Sequence, residues 1–156
     1  MYTKIVTTRE VEITRLAHEL DIGAKLLCSD PCSIHGDLDK LSEQDYRMID
    51  SLHWYYITLD SLEKVDRITY NEFNELMTMF NTLYENNIVY FDVHYNNIMR
   101  DPTTNNIKII DYGHAMYLDD VLEDPTLIPS WFPYEIFSRE NLMDYIRGEL
   151  AIYIRN

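Results

Sequence analysis

Val-Tyr-Phe-Asp-Val-His-Tyr-Asn-Asn-Ile-Met-Arg (89–100), continued by Asp-Pro-Thr-Thr-Asn-Asn-Ile-Lys-Ile-Ile-Asp-Tyr-Gly (101–113), is the stretch on which the fold turns. Asp92 and Asn97 stand five positions apart, and Asp111 opens an Asp-Tyr-Gly triplet at the end of the apolar run Ile107 to Ile110. Polar turn residues separate the two halves, so a small β-hairpin would bring the three side chains to one edge. The chemistry suits that spacing. Mg²⁺ is a hard cation that takes oxygen ligands in a near-octahedral shell and borrows several from phosphate, so few protein oxygens are needed, provided they are fixed. Asn97 offers an amide oxygen and Asp111 a carboxylate, while Asp92 is placed to orient an acceptor hydroxyl and take its proton.

These residues resemble the protein kinase-like superfamily. Tyr90-Phe91-Asp92 stands where that family has His-Arg-Asp, His94 where it has a catalytic-loop Lys, and Asp111-Tyr112-Gly113 where it has Asp-Phe-Gly. The Asp-x-His-x-x-Asn form is similar to aminoglycoside phosphotransferases, Rio-like atypical kinases and the small kinase-like proteins of large DNA viruses. The resemblance implies ATP with Mg²⁺ or Mn²⁺ as cofactor, Asp92 as base, and Asn97 and Asp111 as metal ligands. It implies His94 as a weaker substitute for the fixed lysine charge on the transferring phosphate. Tyr90 and Phe91 lack the means to bind an activation-loop phosphate, so the implied activity does not depend on one.

Working outward, Tyr70 to Asn87 reads as an amphipathic helix. Phe73, Leu76, Met77, Phe80, Leu83 and Tyr84 recur three and four apart, and Asn86-Asn87 is a C-terminal stop. In a kinase such a helix supports the catalytic loop. Trp54 to Ile57 reads as a strand leading into a hinge at Thr58 to Leu62, where Leu59 and Asp60 would meet adenine. Tyr2 to Val6 is a short strand, and Thr7 or Thr8 can cap a helix from Arg9 to about Leu20. By the resemblance Lys4 is the strand lysine on the phosphates, and Glu12 is its helix partner, with Glu10 the alternative. A solvated strand end and helix face would account for the same residues. Asp21 to Leu27 resembles the turn and strand after such a helix.

The chain has 4 glycines, at positions 23, 36, 113 and 148, so none of its segments is a G-x-G-x-x-G loop. If Lys4 is the strand lysine, the first two strands of the usual N-lobe are missing and the nucleotide lacks its lid. Pro133-Tyr134-Glu135-Ile136 is similar to the Ala-Pro-Glu that closes an activation segment, and Asp144-Tyr145 followed by Gly148 to the start of the helix that anchors the catalytic loop. More simply, Ser138 caps a terminal amphipathic helix carrying Leu142, Met143, Ile146, Leu150, Tyr153 and Ile154. The expected architecture is α+β, a minimal kinase-like fold. Residues 1–58 form a truncated N-lobe of short antiparallel sheet plus one helix, and residues 59–156 a reduced helical C-lobe.

With 156 residues and 46% hydrophobic content the chain can bury one substantial core. No secretory signal or membrane-length apolar run is present, and two cysteines fit a reducing, cytoplasmic setting, the host cytoplasm if the source is viral. Cys28 and Cys32 with His35 make a poor zinc set and read as ordinary thiols. A net charge of −14 argues against nucleic acid and anionic membrane as partners and favours a basic protein substrate or partner. Asp119, Asp120, Glu123 and Asp124 lie where they could read such a substrate, or form a solvated loop. Ile34 to Leu38 imitates a His-x-Asp-Leu motif, but Ser42 occupies the metal-Asn position. Ser29 to Asp45 reads as a polar surface loop. The expected function is transfer of phosphate from ATP·Mg²⁺ to protein Ser or Thr, slow without a lid. The alternatives are a catalytically weak or inactive kinase mimic that binds a partner, and a small-molecule phosphotransferase.

Overall fold

The computed structural model describes residues 1–31 and 54–154, which divide into two compact units, Met1–Ser61 and Leu62–Asn156. The sequence reading put the boundary after residue 58. The architecture is α+β, with small antiparallel sheets and, among the described residues, four α-helices. Among those residues no helix is long and apolar enough to cross a membrane. The imitation motif at 34–38, Cys32, His35 and Ser42 lie outside the described residues.

In the first unit β1 (Tyr2–Thr7), β2 (Leu26–Pro31) and β3 (Trp54–Leu59) form a sheet of order β1-β3-β2. Ser29, Asp30 and Pro31, expected in a surface loop, belong to β2, an edge strand where proline costs no ladder bond on its solvent side. β3 runs two residues past the expected strand, because Thr58 and Leu59 pair with Thr3 and Tyr2. Helix α1 (Thr8–Glu19) is capped by Thr7, whose hydroxyl accepts from the Glu10 amide.

The partner of Lys4 is Glu10, not Glu12. Directly opposed residues of an antiparallel pair share a face, so Lys4, opposite Ile57, projects on the same side as that fully buried side chain. On α1 the buried set is Glu10, Ile13, Thr14 and Ala17, a stripe at i, i+3, i+4 and i+7, joined by Val11. Glu12 is two residues, or about 200°, round the helix from Glu10 and is exposed. Glu12 is the choice from sequence because Leu16, Ala17 and Leu20 follow it at helical spacing; of these Ala17 lies in the buried stripe and Leu16 and Leu20 at its margin. Lys4→Met should cost about 3 kcal/mol, because it strands a buried carboxylate without this cation. Urea unfolding of Lys4→Met and of the double variant Lys4→Met/Glu10→Gln measures this, and the double variant should recover part of the loss.

The second unit contains β4 (Glu63–Lys64), α2 (Tyr70–Glu85), β5 (Ile88–Val89), β6 (Ile98–Arg100), β7 (Ile107–Ile109), β8 (Met116–Tyr117), α3 (Leu118–Glu123) and α4 (Arg139–Ala151). Its sheets are β4-β6-β7 and β5-β8. Helix α2 buries Phe73, Leu76, Phe80 and Leu83, the stripe its periodicity predicts. A reciprocal capping box opens it: Thr69 accepts from the Glu72 amide at 3.1 Å, and Glu72 Oε1 accepts from the Thr69 amide at 3.0 Å. Asn87, in the left-handed region at φ 68°, ends the turn after α2 and accepts from the Asp119 amide through its side chain. Helix α4, capped by Ser138, buries Leu142, Ile146 and Leu150, and Arg139 at its start bonds Asn81 and Glu85 of α2.

Glu72 also pairs with Arg100 of β6, at 2.5 Å, tying the start of α2 to the hairpin. Burial pushes its pKa up, but the hydrogen bond from Arg100, the Thr69 contacts and the Arg100 charge together hold it below 4.5. Arg100 is shifted up by the same pair, so both partners agree in direction. A depressed folded pKa means the contribution is complete above the unfolded value, near 4.5, and is lost as pH falls from there through the folded value. Glu72→Gln should therefore flatten that part of the acid limb in denaturant unfolding measured across pH.

Candidate functional site

Two loops of the second unit carry the site, and strand pairing at both ends places them side by side. The segment 90–97 runs from β5 to β6, and 110–115 from β7 to β8. β5 pairs with β8, Ile88 opposite Tyr117 and Val89 opposite Met116, while β6 pairs with β7, Ile98 opposite Ile109. Each loop is thus held to the other at both ends. Between those ends the Ile110 amide donates to the Asn97 carbonyl at 2.9 Å, and the Tyr90 hydroxyl donates to the Ile110 carbonyl at 2.6 Å.

Asp92, His94 and Asn97 form one interlocked group. The Asn97 side-chain amide donates to the Asp92 carbonyl at 2.8 Å and to Asp92 Oδ2 at 3.1 Å, and stands 3.3 Å from His94 Nε2. His94 Nε2 is also 3.3 Å from Asp92 Oδ1. Both carboxylate oxygens of Asp92 are therefore oriented. A short 3₁₀ turn, Tyr95–Asn97, sets the spacing, with the Asn97 amide on the His94 carbonyl at 3.0 Å. Asn97 is buried, and because its nitrogen faces Asp92 and His94, its oxygen is directed elsewhere.

Asp111 adopts the left-handed conformation at φ 61°, which Asp tolerates better than most residues, and its Oδ1 accepts from the Gly113 amide at 3.2 Å. The residue is exposed. One amide oxygen and one solvent-facing carboxylate are hard donors suited to Mg²⁺, which retains waters and phosphate oxygens for the rest of its shell. No cluster of three or more His, Cys, Asp or Glu residues among the described residues could hold a metal by itself.

Aromatic side chains pack within and against both loops. Tyr90 lies between Phe80 of α2 and Tyr112, with ring centroids 5.5 Å away on each side. Burial, then the neighbouring Tyr112, Asp111 and Asp92, push the Tyr90 pKa well above its ordinary value. Its proton stays on the bond to Ile110, and both carboxylates of the site act on one phenol. The Tyr112 hydroxyl donates to the Ile109 carbonyl at 2.8 Å. Tyr145 of α4 donates to the Phe91 carbonyl at 3.0 Å, the residue before Asp92.

Of the residues assigned from sequence, Asp92, His94 and Asn97 come into direct contact, and Asp111 follows the residue bonded to Asn97. Lys4, Glu10, Glu12, Leu59 and Asp60 belong to the first unit. The Asp60 amide donates to the Lys25 carbonyl at 2.9 Å within that unit. Sequence reasoning missed the Tyr90 and Tyr145 hydroxyls. Both bond carbonyls far along the chain, and no local spacing signals such a bond.

Among solved structures the chain is similar to the kinase PK-1 of Cydia pomonella granulovirus, with 19% identity and a TM-score of 0.48. The match covers 74% of this chain and 42% of that one, so the chain spans less than half of its neighbour's length. No protein-family model matches the chain, and no curated protein matches it.

Proposed function

We propose that the second unit is the catalytic part of a kinase-like phosphotransferase that moves the γ-phosphoryl group of ATP to a serine or threonine hydroxyl of a protein. The observation that carries this reading is the interlocked Asp92–His94–Asn97 group, joined through Ile110 to the loop that bears Asp111. Asp92, its carboxylate steered by His94 and Asn97, orients the acceptor hydroxyl and takes its proton. Asn97 and Asp111 would hold Mg²⁺, which when bound neutralises charge on the phosphates and fixes their geometry. His94, 40% exposed at its side chain and 3.3 Å from Asp92 Oδ1, would lend its imidazole to the transferring phosphate.

The 156 residues include no glycine-rich cover for the phosphates, and a site without such a cover excludes water poorly, so turnover by these residues alone should be slow. That same feature favours the second reading, a kinase mimic that captures a protein partner without turnover. Incubation with γ-labelled ATP and Mg²⁺ plus a basic acceptor protein separates the two. Label on serine or threonine that disappears with a chelator is expected; no label from folded, partner-binding protein would leave the mimic.

A further inference from the structure

Trp131 is 54% exposed, an unusual state for the largest apolar side chain, and its ring packs 5.8 Å from that of Tyr145. Tyr145 is the residue whose hydroxyl holds the Phe91 carbonyl, next to Asp92. Burial, then Glu149 and Asp92, raise the Tyr145 pKa, so two carboxylates lie near the phenol on which Trp131 rests. The exposed indole is thus linked by one ring contact and one hydrogen bond to the carbonyl of Phe91, the residue before the one proposed to activate the acceptor.

The segment that bears Trp131 is acidic. From Ile109 to Ser138 the sequence has no Lys or Arg, while Asp119, Asp120, Glu123, Asp124 and Glu135 are exposed. The arginines of α4 are engaged elsewhere: Arg139 bonds Glu85 and lies over the Tyr84 ring, and Arg147 pairs with Asp144. An electron-rich ring face on an acidic segment attracts a planar, weakly hydrated cation more than any other side chain. Ile136, 72% exposed, extends the apolar surface of the same segment.

The geometry points to Trp131 as a docking platform for an arginine side chain of the acceptor protein, which makes the chain selective for basic segments. This rests on the phosphoryl-transfer reading for the location of the acceptor, but binding can be read without turnover. The chain has 2 Trp, so Trp54→Phe leaves Trp131 as the sole reporter. A short serine peptide flanked by arginines should change the Trp131 emission of that variant, and the same peptide with glutamines should not. Trp131→Ala should weaken binding of the arginine peptide about 3- to 30-fold, the span of one cation–π contact from exposed to desolvated sites, and Trp131→Phe should recover part of it. Rising salt should weaken the arginine peptide selectively. Equal affinity for the two peptides, or unchanged affinity in Trp131→Ala, overturns the inference. Arginine-selective binding without any phosphoryl transfer overturns the enzyme reading and keeps this one, whereas transfer indifferent to arginine and to Trp131 does the reverse.

Discussion

Asp92→Asn is expected to lower phosphoryl transfer by about 10²- to 10⁴-fold, the usual contribution of a positioned acid–base group. The substitution is nearly isosteric. An amide at position 92 can still accept from Asn97, and the Asp92 carbonyl that Asn97 also bonds is unchanged, so the loop should keep its shape. Nucleotide binding should therefore survive while kcat falls, the pattern of an interaction that matters in the transition state. Single-turnover transfer beside a nucleotide titration on both forms reads the split. Equal rates in the two forms would remove Asp92 from the chemistry.

Asp111→Asn should abolish most of the metal-dependent stabilisation by ATP. A ligand present at a hundred times its Kd stabilises the native state by about 2.7 kcal/mol, which a thermal melt resolves readily. Asn tolerates φ near 61° and can still accept from the Gly113 amide, so the backbone of the triplet should persist and only the carboxylate charge is lost. The wild-type protein should show a larger Tm increase with ATP plus Mg²⁺ than with ATP plus chelator. An unchanged difference in the variant would place any bound nucleotide away from Asp111.

Much of the local structure was legible because it is written in short-range terms. The α2 stripe follows from 3.6-residue periodicity, and the Thr7-Thr8 pair and Ser138 announce helix starts, with Thr7 the cap of the two threonines. The hairpin joining Asn97 to Asp111 followed from the apolar run Ile107 to Ile110 and the polar turn residues before it. Long-range chemistry was not legible. Choosing Glu10 over Glu12 requires knowing which side of α1 meets the face of β1 that carries Lys4, and sequence gives the helix phase only approximately when half-buried residues such as Leu16 and Leu20 blur the stripe. The pairing of β5 with β8, only two residues each, has no sequence signature at all, yet it closes the frame around the site. Tyr145 illustrates the same limit: a tyrosine among Leu142 and Ile146 looks like one more core position until its hydroxyl is seen on Phe91.

In the proposed site two loops, bound together at both ends, offer Asn97 and Asp111 to one nucleotide-borne metal ion beside Asp92. Paramagnetic broadening tests it most directly, with Mn²⁺ and a non-hydrolysable ATP analogue added to isotope-labelled protein. The account requires the strongest loss of amide signal at Asp92 to Asn97 and at Ile110 to Gly113, dependent on the nucleotide. Broadening confined to the acidic stretch Asp119 to Asp124, or spread over the surface without regard to nucleotide, would contradict it.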